Sequence, residues 1–499
     1  MRVTNSMIIG NSKTNINLNK TSVDFYNTQM SNQKKITRAS DDPVVAIRSL
    51  RLASELNELN QYYEKNIPDA RSWLELTEDA LENMKSLVTE INTQCVYGSN
   101  DPLETEDREA ILENLKKLRD QIYEEGNASY AGRNLFTGYK TTKTLTFTKD
   151  ETNVHYEITE NFKATDIQES TYVSKEMSID RNQLEEIAEK DMPTDNNIYR
   201  IRLSYGSLDT TQEKLVLADG SEIPITYKSI NEIEAAGGSK DDAYLTFESE
   251  DDPSINYIPE TGELILNEAA QKMITSVQGN EPFSLTYEKT GFQKGDIRPE
   301  MYFDCKDITD EENVITYEKK AQEIQYKISF NQYLTVNTEA DSVLDSSLGR
   351  EIDEMINAVQ SSLDAGDKVT KLKSMLKEFQ YQDDESQTKL KTMLEAAERE
   401  KTYAEDKMQK LFAKEITLTN EHLNDISLAI TNVGSRGRQL SLTEQRMAEQ
   451  QTTLEDLKSS NEDRDISDII IDYTTAYTAY TASLTAASKI SSTSLLNYI

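Results

Sequence analysis

Apolar and small residues recur at alternating spacings of four and three from Tyr63 to Cys95, through Ile67, Ala70, Leu74, Thr77, Leu81, Met84, Val88 and Ile91. The rhythm returns near the other end of the chain in Ile466, Ile470, Tyr473, Tyr477, Tyr480, Leu484 and Ala487. Such spacing lays one apolar seam along a helix, and a lone helix in water cannot bury it. The two ends are therefore expected to pair with each other or with other molecules.

The punctuation of the chain sets the predicted helices. Asp41 and Asp42 followed by Pro43 give an acidic cap and a proline in the first turn, so a helix starts there. It should run to about Val96, where residues 98–102 break it, with a kink at Pro68. A second helix is expected over Thr105–Glu125, with Ala110, Ile111, Leu115, Leu118 and Ile122 on one face and Gly126 and Asn127 ending it. Before Asp41 the chain is polar, with weak helical spacing through Met7, Ile16, Val23, Phe25 and Met30, and alone would be a marginal helix or disordered. Helical spacing resumes near Asp341. Leu390, Leu394, Ala397, Ala404, Met408, Leu411 and Leu418 fit a heptad that Lys401 and Glu415 interrupt. This helix should reach about Val433, after which Gly434 and Gly437 loosen the chain before helices over Leu440–Leu457 and Ile466 to about Ile490.

Between these arms the period switches to two. Lys143–Thr148, Ile198–Ser204, Ala243–Glu248 and Ile324–Ser329 alternate as strands do. Leu215–Ile225 and Tyr257–Leu266 read as hairpins turning at glycine. Short helices are expected at Gln183–Lys190, Ser229–Ala236 and Glu268–Ile274. The fold class that follows is α+β: a long antiparallel helical bundle or coiled coil built from both chain termini, with a central β-rich insertion domain. The expected divisions are an assembly segment over 1–43 that is disordered until assembled, helical halves over 44–141 and 341–460, a β-rich module over 142–340, and a C-terminal assembly helix over 461–499.

Charge narrows the partners. The net charge of −35 lacks the basic stripe that nucleic acid requires. Residues 1–60 hold eight Lys and Arg against five Asp and Glu, whereas residues 141–340 hold 19 against 40, so the N-terminal arm is the better docking piece. No run of 18 apolar residues exists to span a membrane, and the first 30 residues lack the regions of a cleaved secretory signal. Cys95 and Cys305 lie in different modules, which excludes a disulfide framework.

Candidate chemistry is sparse. His155 and His422 are the only histidines and lie far apart in sequence, so a histidine metal site or triad has little material. Neither a phosphate loop nor a Gly-x-Ser-x-Gly elbow is present. Asp41 and Asp42 are explained as a helix cap, and Asp463-Arg-Asp-Ile-Ser-Asp468 lacks the glycine and glutamate of a calcium loop. No catalytic residue, metal or cofactor is expected. A carbohydrate-active module over 142–340 and a coiled-coil signalling protein are the alternatives of other classes.

The run Lys34-Lys-Ile-Thr-Arg-Ala-Ser-Asp-Asp-Pro-Val-Val-Ala46 carries an Ile-x-x-Ala-Ser-Asp-Asp-Pro-x-x-Ala pattern, and the chain opens Met1-Arg-Val-Thr-Asn-Ser-Met7. With Tyr63–Asn66, Leu76–Leu81, Gly132–Gly138, Asp463–Asp468 and the ending Ser491–Ile499, it resembles the flagellin superfamily, in particular the branch at the junction of hook and filament. The family motif falls on Ala39, Ser40, Asp41, Asp42 and Pro43. The resemblance implies termini paired as coiled helices in the inner tube of the bacterial flagellum, an outward β module, and no enzymatic activity. It also implies secretion by the flagellar type III export apparatus with an export chaperone. The implied partners are neighbouring copies of the chain, hook-associated protein 1 on the hook side and flagellin on the filament side. A filament-forming flagellin is the alternative within the superfamily. Within this picture Ile466, Ile470, Tyr473, Tyr477, Tyr480, Leu484, Leu495 and Leu496 are the expected assembly interface. The resemblance explains neither Pro68 nor the long helical stretch over 370–430.

Overall fold

A computed structural model describes residues 5–492 except 101, 102, 182, 183, 185, 280 and 311. The long helices are α1 (Asn5–Asn32), α2 (Pro43–Gln61), α3 (Ile67–Gly98), α4 (Thr105–Gly126), α5 (Ser347–Met375), α6 (Asp384–Glu462) and α7 (Ile466–Ser492). The strands lie between α4 and α5, so the fold is α+β with the β-rich region inserted between two helical arms. The chain divides into two compact units. The first comprises the described parts of Met1–Arg71, Tyr326–Leu334 and Arg438–Ile499, and the second Ser72–Gln325 and Thr335–Gly437.

The predicted seam of the first arm is buried from Ile67 to Cys95 at every position named, but Tyr63 is only half-buried and Tyr62 takes its place. The reason is local. Tyr62–Asn66 form a π turn, in which the Ile67 N–H bonds the carbonyl of Tyr62 five residues back. A π turn inserts one residue, so the seam steps from Ile67 to Tyr62 and on to Leu59. The turn lies just before Pro68, whose missing N–H disturbs the ladder at that level. The expected irregularity is therefore a wider turn, and it moves the register by one residue.

In the second unit α4 buries Ile111, Leu112, Leu115, Leu118 and Ile122, whereas Ala110 is exposed, contrary to expectation. Helix α6 is one continuous helix of 79 residues. It does not end near Val433, and neither Gly434 nor Gly437 breaks it. A helical glycine costs only about 1 kcal/mol, which burial of Val433 and Leu440 on either side outweighs. Its buried row also differs from the apolar heptad. Phe412, Glu415, Thr419, His422, Ile426, Ala429 and Val433 are buried, while Leu411 and Leu418 are half-buried. Apolarity alone hid a seam that holds paired polar groups.

Two larger sheets form the β region, beside two-stranded pairs of Ser129–Tyr130 with Arg133–Asn134 and of Gln325–Ser329, close to the expected strand Ile324–Ser329, with Gln332–Thr335. Glu151–Phe162 lies between Phe283–Phe292 and Asp304–Asp307, and Ile315–Tyr317 completes a four-stranded sheet. The six-stranded sheet runs Gln168–Ser174, Thr194–Arg202, Glu263–Leu266, Ile255–Ile258, Glu222–Tyr227, Lys214–Val216. Its neighbours are antiparallel except for the parallel pair Ile255–Ile258 and Glu222–Tyr227. Both glycine hairpins form, with φ of +82° at Gly220 and +64° at Gly262. A side chain at Gly262 would also collide with the Tyr205 carbonyl. One core joins the sheets, with Tyr156, Ile158, Leu285 and Tyr287 from one and Ile201, Ile255, Leu264 and Leu266 from the other.

Three local expectations fail here. Lys143–Thr148 is not a strand, and Leu145, Thr146 and Phe147 are all buried rather than alternating. Its backbone bonds go to the Asn127 side chain and to Asp296, with a single bridge from Thr146 to Ile297. Ala243–Glu248 begins in a helical turn, Asp241–Tyr244, because Ala243 and Phe247 meet the same apolar cluster at helical spacing. Of the expected helix Gln183–Lys190, residues 183 and 185 lie outside the described residues, and a short 3-10 turn covers Glu189–Asp191. Helices Ile230–Ala235 and Glu268–Gln278 form as expected, capped by Ser229 and Asn267.

The stretch over 370–430 has a packing role. Val369, Leu372 and Met375 of α5 and Leu390, Met393 and Ala397 of α6 share a core with Met177, Met192 and Tyr381. The hairpin tip is thus a platform for an otherwise irregular segment.

Candidate assembly surface

The first unit brings the chain ends together. Helix α1 runs antiparallel to α7: Asn19 donates to the Ala479 carbonyl at 3.4 Å, and Arg464 donates to Gln29 at 2.9 Å. Among the side chains of α1 that are covered, wholly or in part, one row runs Ser12, Ile16, Asn19, Val23, Tyr26 and Met30. On α7 the matching row is Ile469, Tyr473, Ala476, Tyr480, Ser483 and Ala487. Both rows follow the four-three rhythm of a two-helix coil, and small residues at Ser12, Ala476, Ser483 and Ala487 let the backbones approach.

The connections on either side are clamped. Gln33 leaves α1 in the left-handed region, with φ of +58°. Lys35 N–H donates to the Glu462 carbonyl at 2.7 Å, Arg464 N–H donates to the Gln33 carbonyl at 2.9 Å, and Lys34 bridges Asp463. Gln29, 2% exposed, accepts from Arg464 and donates to the Lys35 carbonyl at 2.6 Å. The Lys34 ammonium reaches Asp463 at 2.6 Å and Glu462 at 3.0 Å. Its pKa is raised chiefly by the bond to Asp463, and that of Asp463 is lowered chiefly by Lys34.

The two aspartates of the motif have separate tasks. Asp42 is the cap of α2, accepting from Val44 and Val45 N–H at 3.0 and 3.1 Å. Asp41 closes the preceding turn by accepting from Thr37 and Arg38 N–H, and those bonds lower its pKa. Ala39, Ser40 and Pro43 are exposed. In the second linker Asp465, which accepts from Ser467 N–H at 2.7 Å, opens α7, leaving Asp463 for Lys34.

The expected interface residues divide between two faces. Tyr473 and Tyr480 are half-buried on the covered side, with Tyr473 stacked on Tyr477 at 6.1 Å between centroids. Ile466, Ile470, Tyr477 and Leu484 are exposed, at 42–50% of their surface. Leu495 and Leu496 lie outside the described residues. The sequence reading missed Ile469, which is fully buried, because Ile466 and Ile470 satisfy the same spacing one step away. It also missed the exposed apolar residues Ile471 on α7, Ile8, Ile9 and Leu18 on α1, and Val44, Ile47 and Leu50 on α2. Phe25 and Met7, expected on a seam, are exposed as well. Apolar rows on more than one side of a helix were the available signal.

Such a surface has contact area to offer. Among the described residues no cluster of histidine, cysteine and carboxylate side chains is arranged to hold a metal, and no helix is long and apolar enough to cross a membrane.

Residues 3–141 match the family of the bacterial flagellin N-terminal helical region. Flagellar hook-associated protein 3 of Escherichia coli (strain K12) is 31% identical over 127 residues, 25% of this chain and 39% of that protein. Flagellin of Clostridium tyrobutyricum is 30% identical over 122 residues, 24% of this chain and 32% of that protein. The chain thus matches less than half the length of these relatives. The crystal structure of the flagellar junction protein FlgL from Legionella pneumophila aligns at 13% identity and a TM-score of 0.29, over 84% of this chain and 100% of that one. That superposition is too loose for a comparison of detail.

Proposed function

We propose, for a chain whose residues 3–141 match the family of the bacterial flagellin N-terminal helical region, that it is a structural adaptor at the hook–filament junction of the flagellum. The observation that carries this reading is the antiparallel pair α1 and α7, which buries one seam internally and leaves Ile466, Ile470, Tyr477 and Leu484 exposed. Exposed apolar rows on paired terminal helices are stable in water when neighbouring copies cover them. The hook-side neighbour would be hook-associated protein 1 and the filament-side neighbour flagellin. Before assembly α1 and α7 would be loose, and an export chaperone would cover the α7 seam on the way through the type III apparatus. The finished protein would lie outside the cell, in the flagellum.

A deletion strain tests the role. Loss of motility with hooks intact and flagellin shed into the medium supports the adaptor, and normal filaments refute it. Complementation with Ile470→Asp/Tyr477→Asp tests the surface: secreted but unincorporated protein is the expected result. The match to a flagellin favours a second reading, a filament subunit. Purified protein that polymerises alone into long filaments would establish that reading in place of the first.

A further inference from the structure

Besides the rows of α1 and α7, the first unit exposes two further stripes, on different sides of one helical shaft. Helices α2 and α6 run antiparallel in it: Asn461 donates to the Val45 carbonyl at 3.0 Å, and Gln451 donates to the Asn60 side chain at 3.0 Å. The covered side of α2 carries Ala46, Leu56 and Leu59, and that of α6 carries Leu440, Met447 and Leu454. With 3.6 residues per turn, each helix presents its remaining stripe away from the other.

The outward stripe of α2 is apolar and basic. Val44, Ile47 and Leu50 are exposed at 54–70% of their surface, and Arg48 and Arg51 are exposed among them. No carboxylate occurs from Pro43 to Ser54, in a chain with 89 Asp and Glu against 54 Lys and Arg. Among the described residues neither arginine has an ion-pair partner.

The outward stripe of α6 is apolar and acidic. Leu442 and Leu457 are 69% and 51% exposed. Glu449 and Asp456 follow Leu442 at intervals of seven residues, close to two full turns, and both are exposed with no ion-pair partner among the described residues. Arg446, the single cation between Leu442 and Leu457, donates to Gln332 at 2.8 Å, and Glu444 is taken by Arg71.

A scattered exposed apolar residue is ordinary surface, whereas a row of three set among arginines has the composition of an interface. Exposed charges are well hydrated, so they choose the partner and its register more than they add affinity. The two stripes match in kind, apolar row to apolar row and arginine to carboxylate. They cannot meet within one chain, because α2 and α6 turn them apart. Two different patches of one molecule that fit each other make a heterologous contact, which repeats from copy to copy into a ring or helical tube.

We propose that the α2 stripe of one copy docks on the α6 stripe of the next, with Val44, Ile47 and Leu50 against Leu442 and Leu457, and Arg48 and Arg51 facing Glu449 and Asp456. The proposal deepens the assembly reading above and rests on it for the presence of neighbouring copies.

The test uses two versions of the full chain, Ile47→Cys and Leu442→Cys, mixed at about 0.5 mM and treated with a short bismaleimide. The high concentration suits a contact smaller than a standard interface. Cys95 and Cys305 are buried, and the parent chain treated alike gives the background. The expected result is a covalent dimer joining the two versions, in at least about fivefold excess over either version alone. Arg48→Glu/Arg51→Glu in the first version should abolish the excess, as should Glu449→Lys/Asp456→Lys in the second, and the two reversals together should restore it. All four positions are exposed, and thermal unfolding establishes that the variants fold. No cross-link above background overturns the proposal. Ile47→Cys joined to itself as readily as to Leu442→Cys overturns it too, since that is a two-fold contact, as does a yield unchanged by the reversals. The deletion strain decides the adaptor role without these residues, so a failed cross-link and a failed adaptor reading are distinct outcomes.

Discussion

Lys34 and Asp463 lie 429 residues apart in sequence and 2.6 Å apart in the fold. Their pair fastens the linker between α1 and α2 to the linker between α6 and α7, with Glu462 as second acceptor at 3.0 Å. Both side chains are about two-fifths exposed, so solvent screens the attraction. A double-mutant cycle of Lys34→Met and Asp463→Asn should give a coupling of about 0.2–1 kcal/mol in urea unfolding. The signs fix its pH window. The lowered pKa of Asp463 makes the contribution present above about pH 4 and lost as pH falls through the folded value. The raised pKa of Lys34 makes it present below about pH 10 and lost as pH rises through its folded value. Coupling that persists at pH 2 would contradict this assignment.

Ile469 and Ile470 are neighbours with opposite surroundings, fully buried and 47% exposed. Ile469→Ala should destabilise the α1–α7 pair in the assembled protein by about 2–4 kcal/mol, through lost transfer energy and the cavity left behind. Ile470→Asp should stay within about 0.5 kcal/mol of the parent in the monomer and act only on incorporation. Chemical denaturation of both variants, with a flagellar incorporation assay, separates the faces.

His422 on α6 lies 2.9 Å from Glu351 on α5, both buried in the second unit, with Glu415 one helical stretch away on the same seam. Removing the imidazole with His422→Leu leaves Glu351 as an unpaired buried carboxylate, at a cost of about 3–5 kcal/mol. The double variant with Glu351→Leu should recover much of that loss.

The same cluster gives a pH signature. His422 is raised above its ordinary value by Glu351 despite burial, so its contribution is present below about pH 6.5 and lost as pH rises through the folded value. Burial pushes Glu415 up to about 8, with Glu351 adding to it. The folded chain therefore holds a proton that the unfolded chain releases, and stability falls as pH rises from about 4.5 towards 8. Glu415→Gln removes that slope. Its urea midpoint should exceed the parent's at pH 8 and approach it at pH 5.

Gly349 in α5 is pressed against Tyr123 of α4, and a Cβ there would overlap the phenol. Gly349→Ala should lower stability by about 1–3 kcal/mol or more through forced separation of the helices. Ala is otherwise the better helix former by about 1 kcal/mol, so an unchanged or higher melting temperature would show that the contact yields.

Much of this architecture was legible because backbone periodicity is a local property. The seam from Ile67 to Cys95, the glycine hairpins and the caps at Asp42, Ser229 and Asn267 each depend on residues a few positions apart. The assembly surface was half legible. The four-three rhythm marked α7, yet Ile469 and Ile470 fit it equally, and only the partner helix α1 selects the inward one.

The chain by itself thus determined most of the long helices and both glycine hairpins, and that both ends need partners, since spacing and capping act within a turn or two. Tertiary structure decided the choice of Ile469 over Ile470, the polar seam through Glu415 and His422, and the bond between Lys34 and Asp463. Those outcomes rest on packing and on charges meeting across hundreds of residues. A one-dimensional pattern of apolar positions carries no information about either.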